Sequence, residues 1–259
     1  LKIKNIRKIY MTMGGKWQYF IEEGYILPVV FMQAIILSLI LIVLPAFSSN
    51  PPQAPFKKGG LNKIPPFVKG GKGGLTGIRF LPYFAFLGFG FMLIEISLIQ
   101  KTILPLEHSS YAVATVLTSI LISSGIGSLL SQRFPGLRSP STVILISFLI
   151  IIYSILLPSL TDTISPYSIS VRIISVFLIL TPLGLLMGIP FPTGLKILGE
   201  KNESLIPWAW AINGCFSVLA PILTIMLAMV IGFKMVLWLG ALSYMMAFIT
   251  LQNFLRRSS

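Results

Sequence analysis

The chain has 259 residues, 55% of them hydrophobic and only 10% charged, with a mean hydropathy of +0.89; ordinary globular domains carry about 25% charged residues, so a water-soluble globule is excluded. Seven acids and one His leave little raw material for hydrolytic or metal chemistry, and the single Cys215 excludes a disulfide framework and a cysteine-based zinc site. The net charge of +13 would point to nucleic acid in a soluble domain, but no recognition fold accompanies it and basic residues flanking apolar runs are what membrane topology requires, so the expected partner is the lipid bilayer and not nucleic acid.

Residues 1–24 read as a juxtamembrane lead-in carrying Lys2, Lys4, Arg7, Lys8 and Lys16. The chain opens on Leu1 and its first apolar run starts only near Tyr25. That is unlike a signal peptide, and the expectation is a fragment that continues a missing upstream domain. A span of the bilayer takes about 20 residues. Apolar runs of that order fall at 25–47, 79–103, 111–131, 142–160, 171–189, 207–233 and 235–255. They are apolar on every face rather than alternating, which predicts an all-α, polytopic transmembrane bundle of about seven spans and not a barrel. In domain terms this is a first helix at 25–47, a six-helix bundle over 79–255 and a basic tail at 256–259.

Residues 48–78 differ from the rest. Pro55-Phe56-Lys57-Lys58-Gly59-Gly60 recurs as Pro66-Phe67-Val68-Lys69-Gly70-Gly71, and such Pro and Gly density predicts an inserted flexible loop. A phosphate-binding loop is disfavoured, because Gly71-Lys72 is followed by Gly73 where Ser or Thr is needed. With seven spans, the N-terminal side carries eight basic residues and the other side twelve, six of them in or beside the insertion. The five that precede the first run favour a cytoplasmic N-terminus in a bacterial inner membrane.

Glu95 is the only acid inside a predicted span. A carboxylate in hydrocarbon costs several kcal/mol on most scales, so it must face the bundle interior or find a partner. A structural acid bonded to a neighbouring helix is weighed against proton or substrate handling. Glu107 and His108 lie at the next turn, either as a relay or simply solvated. Thr115, Ser119, Ser123 and Gly127 recur every four residues, a small-residue stripe suited to close helix packing. Pro182, Gly184, Gly188, Pro190 and Pro192 predict a break or kink at the end of the 171–189 run, a kink if structural and a substrate site if transporter-like. Asn213 shares a face with Ser217, and Glu95 is its expected partner.

Four segments together resemble a family: Tyr83-Phe84-Ala85-Phe86-Leu87-Gly88-Phe89-Gly90-Phe91-Met92-Leu93-Ile94-Glu95, Ser124-Gly125-Ile126-Gly127-Ser128, Gly184-Leu185-Leu186-Met187-Gly188-Ile189-Pro190-Phe191-Pro192 and Pro207-Trp208-Ala209-Trp210-Ala211-Ile212-Asn213-Gly214. The chain is similar to the multispan C-terminal region of bacterial membrane proteins that carry a spermidine-synthase-like, polyamine aminopropyltransferase-like domain ahead of their helices. The resemblance implies that an S-adenosylmethionine-type cofactor and any catalysis belong to that upstream domain. Gly88-Phe89-Gly90 stops short of GxGxxG, with Leu93 in the last place, and lies inside an apolar run. For this chain the expectation is therefore no cofactor, no metal and no catalytic residues, with a role in anchoring or serving the upstream domain. The alternative is a transporter-like bundle that moves a small polar or cationic solute through Glu95, Asn213 and the break after residue 181. An intramembrane enzyme is disfavoured because no nucleophile and base can be paired.

Overall fold

The structure is a computed structural model that describes residues 26–47 and 80–256. The lead-in, the 48–78 insertion and the tail beyond Arg256 lie outside the described residues. Every long element is an α-helix: α1 Ile26–Phe47, α2 Leu81–Leu106, α3 Ser109–Arg133, α4 Ser141–Ile164, α5 Ile169–Met187, α6 Pro190–Asn202 and α7 Ile206–Arg256, with 3₁₀ turns at Pro135–Arg138 and Glu203–Leu205. Four of the described helical stretches are long and apolar enough to cross a membrane.

Local chemistry explains the boundaries. Proline occupies the first turn of α2 and of α6, where its missing amide costs nothing. After α2 the chain turns on Glu107, whose φ of 63° is left-handed, and its amide reaches the carbonyl of Leu104. The 3₁₀ turn after α3 is tied by Arg138 Nη2 donating to the carbonyl of Gln132 at 2.9 Å and Thr142 Oγ1 donating to that of Leu137 at 2.7 Å. The two last predicted runs form halves of α7, which bends at Gly232 with φ 78° and ψ 156°, a conformation open to glycine and rarely to other residues.

α2 is the centre of the bundle. Its neighbours are set by contacts at constant offset: Asn213 lies against Phe84 and Ser217 against Gly88, so the first half of α7 runs parallel to α2. Phe254 stacks on Phe80, Tyr244 lies against Gly90 and Gly240 against Ile94, so the second half runs antiparallel. α3 and α5 are parallel, pairing Ser119 with Phe177 and Gly127 with Leu185. α4 is antiparallel to the second half of α7, with Ser147 Oγ donating to the Ala241 carbonyl at 3.1 Å and Trp238 Nε1 to Ser154 Oγ at 2.7 Å.

One end of the bundle is closed by rings. Phe80 stacks on Tyr83 and Phe254, while Phe84 meets Phe191 edge-on and Phe191 meets Trp210; such pairs add about 0.5–1.5 kcal/mol each beyond their burial. The outward faces carry large apolar side chains such as Leu121, Leu129, Phe148, Leu178 and Val230. Faces of this kind belong against lipid rather than water.

The helix is interrupted within the stretch that carries Pro182, Gly184, Gly188, Pro190 and Pro192. α5 continues through Pro182 to Met187, and the chain turns at Gly188 and Ile189 into α6, whose first residue is Pro190. The amides of Gly188, Ile189 and Thr193 find the carbonyls of Gly184, Leu186 and Ile189. The prolines and glycines therefore make a corner between two helices, not an unwound stretch within one. Pro190 opens α6, where its missing amide is tolerated, whereas Pro182 lies inside α5, and Gly184 and Gly188 serve close packing.

Candidate functional site

Besides the bonds of α4 to α7, polar groups inside the bundle gather between α2 and α7 and between α3 and α5. In the first, Gly88 leaves the surface of α2 bare, and a Cβ there would lie 2.5 Å from the Asn213 carbonyl, 2.7 Å from its Nδ2 and 2.8 Å from Ser217 Oγ. Through this gap Asn213 Nδ2 donates to the Phe84 carbonyl at 3.0 Å. On the other flank Ser243 Oγ donates to the Phe86 carbonyl at 2.8 Å. Tyr83, fully buried, donates its hydroxyl to the Pro190 carbonyl at 2.8 Å and so fastens the α5–α6 corner to α2.

Glu95 is 3% exposed and makes no hydrogen bond or ion pair among the described residues. The offset of 129 that joins Phe84 to Asn213 puts Glu95 level with Thr224, which is buried and donates to the Ala220 carbonyl of its own helix at 2.8 Å. Buried Tyr244 lies within electrostatic range on the opposite side. The expected pairing of Asn213 with Glu95 does not form. Asn213 bonds three turns lower, about 16 Å along α2, because Gly88 uncovers a carbonyl there and nothing comparable opens beside residue 95. Ser97 Oγ, two residues on and so on nearly the opposite face of α2, is buried with no partner among the described residues.

Between α3 and α5 the stripe of Thr115, Ser119, Ser123 and Gly127 is buried, and it faces the two glycines of α5. A Cβ at Gly127 would lie 1.9 Å from the Leu185 carbonyl oxygen, at Gly188 2.0 Å from that of Ser124, and at Gly184 2.8 Å from Ser123 Cβ. These helices touch backbone to backbone. Ser119 Oγ donates to the Phe177 carbonyl at 2.8 Å. Nearby, Tyr153 donates its hydroxyl to Ile179.

At the far end, Glu107 pairs with Arg172 at 2.8 Å rather than with His108. Arg172 also donates to the Pro105 carbonyl at 2.8 Å, and His108 lies edge-on to Tyr111. Of the two readings of Glu107 and His108, relay or solvated, neither describes Glu107, which forms an ion pair between the end of α2 and the start of α5.

Sequence reasoning missed Tyr83, Ser243, Arg172 and Trp238 as cross-helix donors. Their acceptors lie 67 to 157 residues away, and no spacing in the chain announces them. Taken together, the interior hydroxyls and amides are mostly spent on helix carbonyls, which is the chemistry of a joined bundle, and Glu95 stands apart from it. No protein-family model, curated protein or solved structure matches this chain.

Proposed function

We propose that this chain is a non-catalytic integral membrane domain, of the kind that anchors or serves an upstream spermidine-synthase-like domain of the same polypeptide, in the bacterial cytoplasmic membrane with its N-terminus in the cytoplasm. What supports the reading is the way the interior polar groups are used: Asn213, Ser243, Tyr83 and Ser119 each fasten one helix to the backbone of another. In this reading the chain crosses the bilayer seven times, with α1 to α5 and the two halves of α7 as the spans and the amphipathic α6 at the interface. α2 and the first half of α7 run one way and the second half of α7 the other, so this reading counts each half of α7 as a span. The test is the coding sequence upstream of Leu1. An in-frame, glycine-rich nucleotide-binding domain is expected, and a stop codon followed by a start codon would overturn the anchoring role.

A second reading, a bundle that moves a small polar or cationic solute through Glu95, Asn213 and the break after residue 181, draws first on Glu95. A buried acid without a bonded partner is expensive in a membrane and is most readily explained by use. The interruption between α5 and α6 at Gly188 and Ile189 belongs to the same reading. Uptake of polyamines or amino acids into proteoliposomes decides it. Anchoring predicts flux equal to empty vesicles, and transport predicts flux that Glu95→Gln abolishes.

A further inference from the structure

At the end of the bundle opposite the aromatic cluster, the last turns of α2 and α4 enclose a cavity of about 180 Å³, lined by residues that include Lys101, Leu104, Pro105, Pro158, Thr161 and Asp162. It is many times larger than one water requires. Lys101 and Asp162 both face it, yet among the described residues neither has a hydrogen bond or ion pair. The ion pair of this region, Arg172 with Glu107, lies outside the lining. Thr161 Oγ1 is committed to the Pro158 carbonyl at 2.8 Å. Lys234 of α7 stands within electrostatic range of Lys101 and adds a second positive charge. Leu104, at the rim, is 85% exposed.

We propose that this cavity holds a phosphate-bearing lipid headgroup with a primary ammonium, its phosphate at Lys101 and its ammonium at Asp162. A simple anion is drawn to Lys101 but repelled by Asp162, and a simple cation meets the reverse, whereas a group carrying both charges satisfies both walls. The bare apolar rim at Leu104 and the position at the helix ends make the bilayer the source, at the depth where headgroups lie. The inference requires α2 and α4 to end at the membrane surface and is independent of any upstream domain.

Native mass spectrometry of the full, delipidated chain in detergent tests it, titrated with phosphatidylethanolamine, phosphatidylglycerol and soluble phosphoethanolamine. The expected result is one phosphatidylethanolamine held at least tenfold more tightly than phosphatidylglycerol. Lys101→Gln loses it, Lys101→Arg keeps it, and Asp162→Asn erases the preference between the two lipids. Lys196→Gln, an exposed cation at the opposite end, leaves binding unchanged. Equal binding of both lipids to the unsubstituted chain, or retention by Lys101→Gln, overturns the site. Soluble phosphoethanolamine binding as tightly as the lipid overturns the bilayer as its source.

Discussion

The α3–α5 and α2–α7 contacts both depend on glycine, but they use its missing side chain differently. Along α3 and α5 the space is filled by backbone, with Gly127 against the Leu185 carbonyl and Gly188 against that of Ser124. Along α2 side chains share it: the Asn213 amide and Ser217 over Gly88, beside the Asn213 carbonyl at 2.5 Å, and Ser243 and Tyr244 over Gly90. A backbone seated on a glycine has no torsion with which to retreat, whereas an Asn or Tyr has two. The first contact is a fixed seam, and the second an adjustable one that can host polar chemistry.

The largest effect is expected from Gly127→Ala. Its Cβ would lie 1.9 Å from a carbonyl oxygen, so the helices must part, at about 3 kcal/mol, the upper end of ordinary overpacking. Thermal unfolding in detergent measures it. Gly125→Ala, with nothing within 4 Å of the new Cβ, should stay within about 0.5 kcal/mol of the parent, and equal losses for the two would remove the idea of a backbone seam. Gly88→Ala comes next, at about 2 kcal/mol, because part of the clash is with the Asn213 amide. Adding Asn213→Ala should recover some of that loss, giving a double-mutant cycle that is less than additive. Strict additivity would mean that the α2–α7 contact is as rigid as the other.

Much of this division is written in local spacing, and some of it cannot be. The four-residue recurrence of Thr115, Ser119, Ser123 and Gly127 marks one face of α3, and Gly184 with Gly188 marks one face of α5, so packing stripes are legible on each helix. That the two stripes meet each other depends on which helices become neighbours, and apolar runs alone carry no such information. Pro182, Pro190 and Pro192 announce a change of direction but not whether it interrupts a span or ends one; the answer came from Pro190 starting α6. Asn213 was legible as an interior polar residue, and its acceptor was not, since a backbone carbonyl bared by Gly88 leaves no mark that distinguishes it from any other. The helical class and the bounds of the runs followed from composition because lipid accepts few alternatives.

Glu95 sharpens the comparison from the other direction, since the side-chain seam is where an unpartnered acid can be accommodated. Glu95→Met should raise stability by about 1 kcal/mol, because it removes a buried acid that no bond among the described residues repays. A fall in melting temperature would show instead that the carboxyl is a structural partner and would weaken the solute-moving reading with it.

The two cross-helix donors, Ser119 in the backbone seam and Asn213 in the side-chain seam, test the same contrast through single hydrogen bonds. Hydrogen bonds between membrane helices average about 0.6 kcal/mol, because the separated helices also find partners. Ser119→Ala should fall at or below that value, since the glycine contacts hold α3 and α5 together whether or not the Phe177 carbonyl is occupied. Asn213→Ala should exceed it, nearer about 1.5 kcal/mol, because the amide both bonds the Phe84 carbonyl and fills the space above Gly88. Asn213→Leu separates the two contributions. It restores volume without the bond, so a stability between those of the parent and the alanine variant assigns the difference to packing, and a value equal to alanine assigns it to the hydrogen bond. If Ser119→Ala proves the more damaging of the two, the hydroxyl rather than the glycines holds the backbone seam, and the contrast between the two contacts is lost.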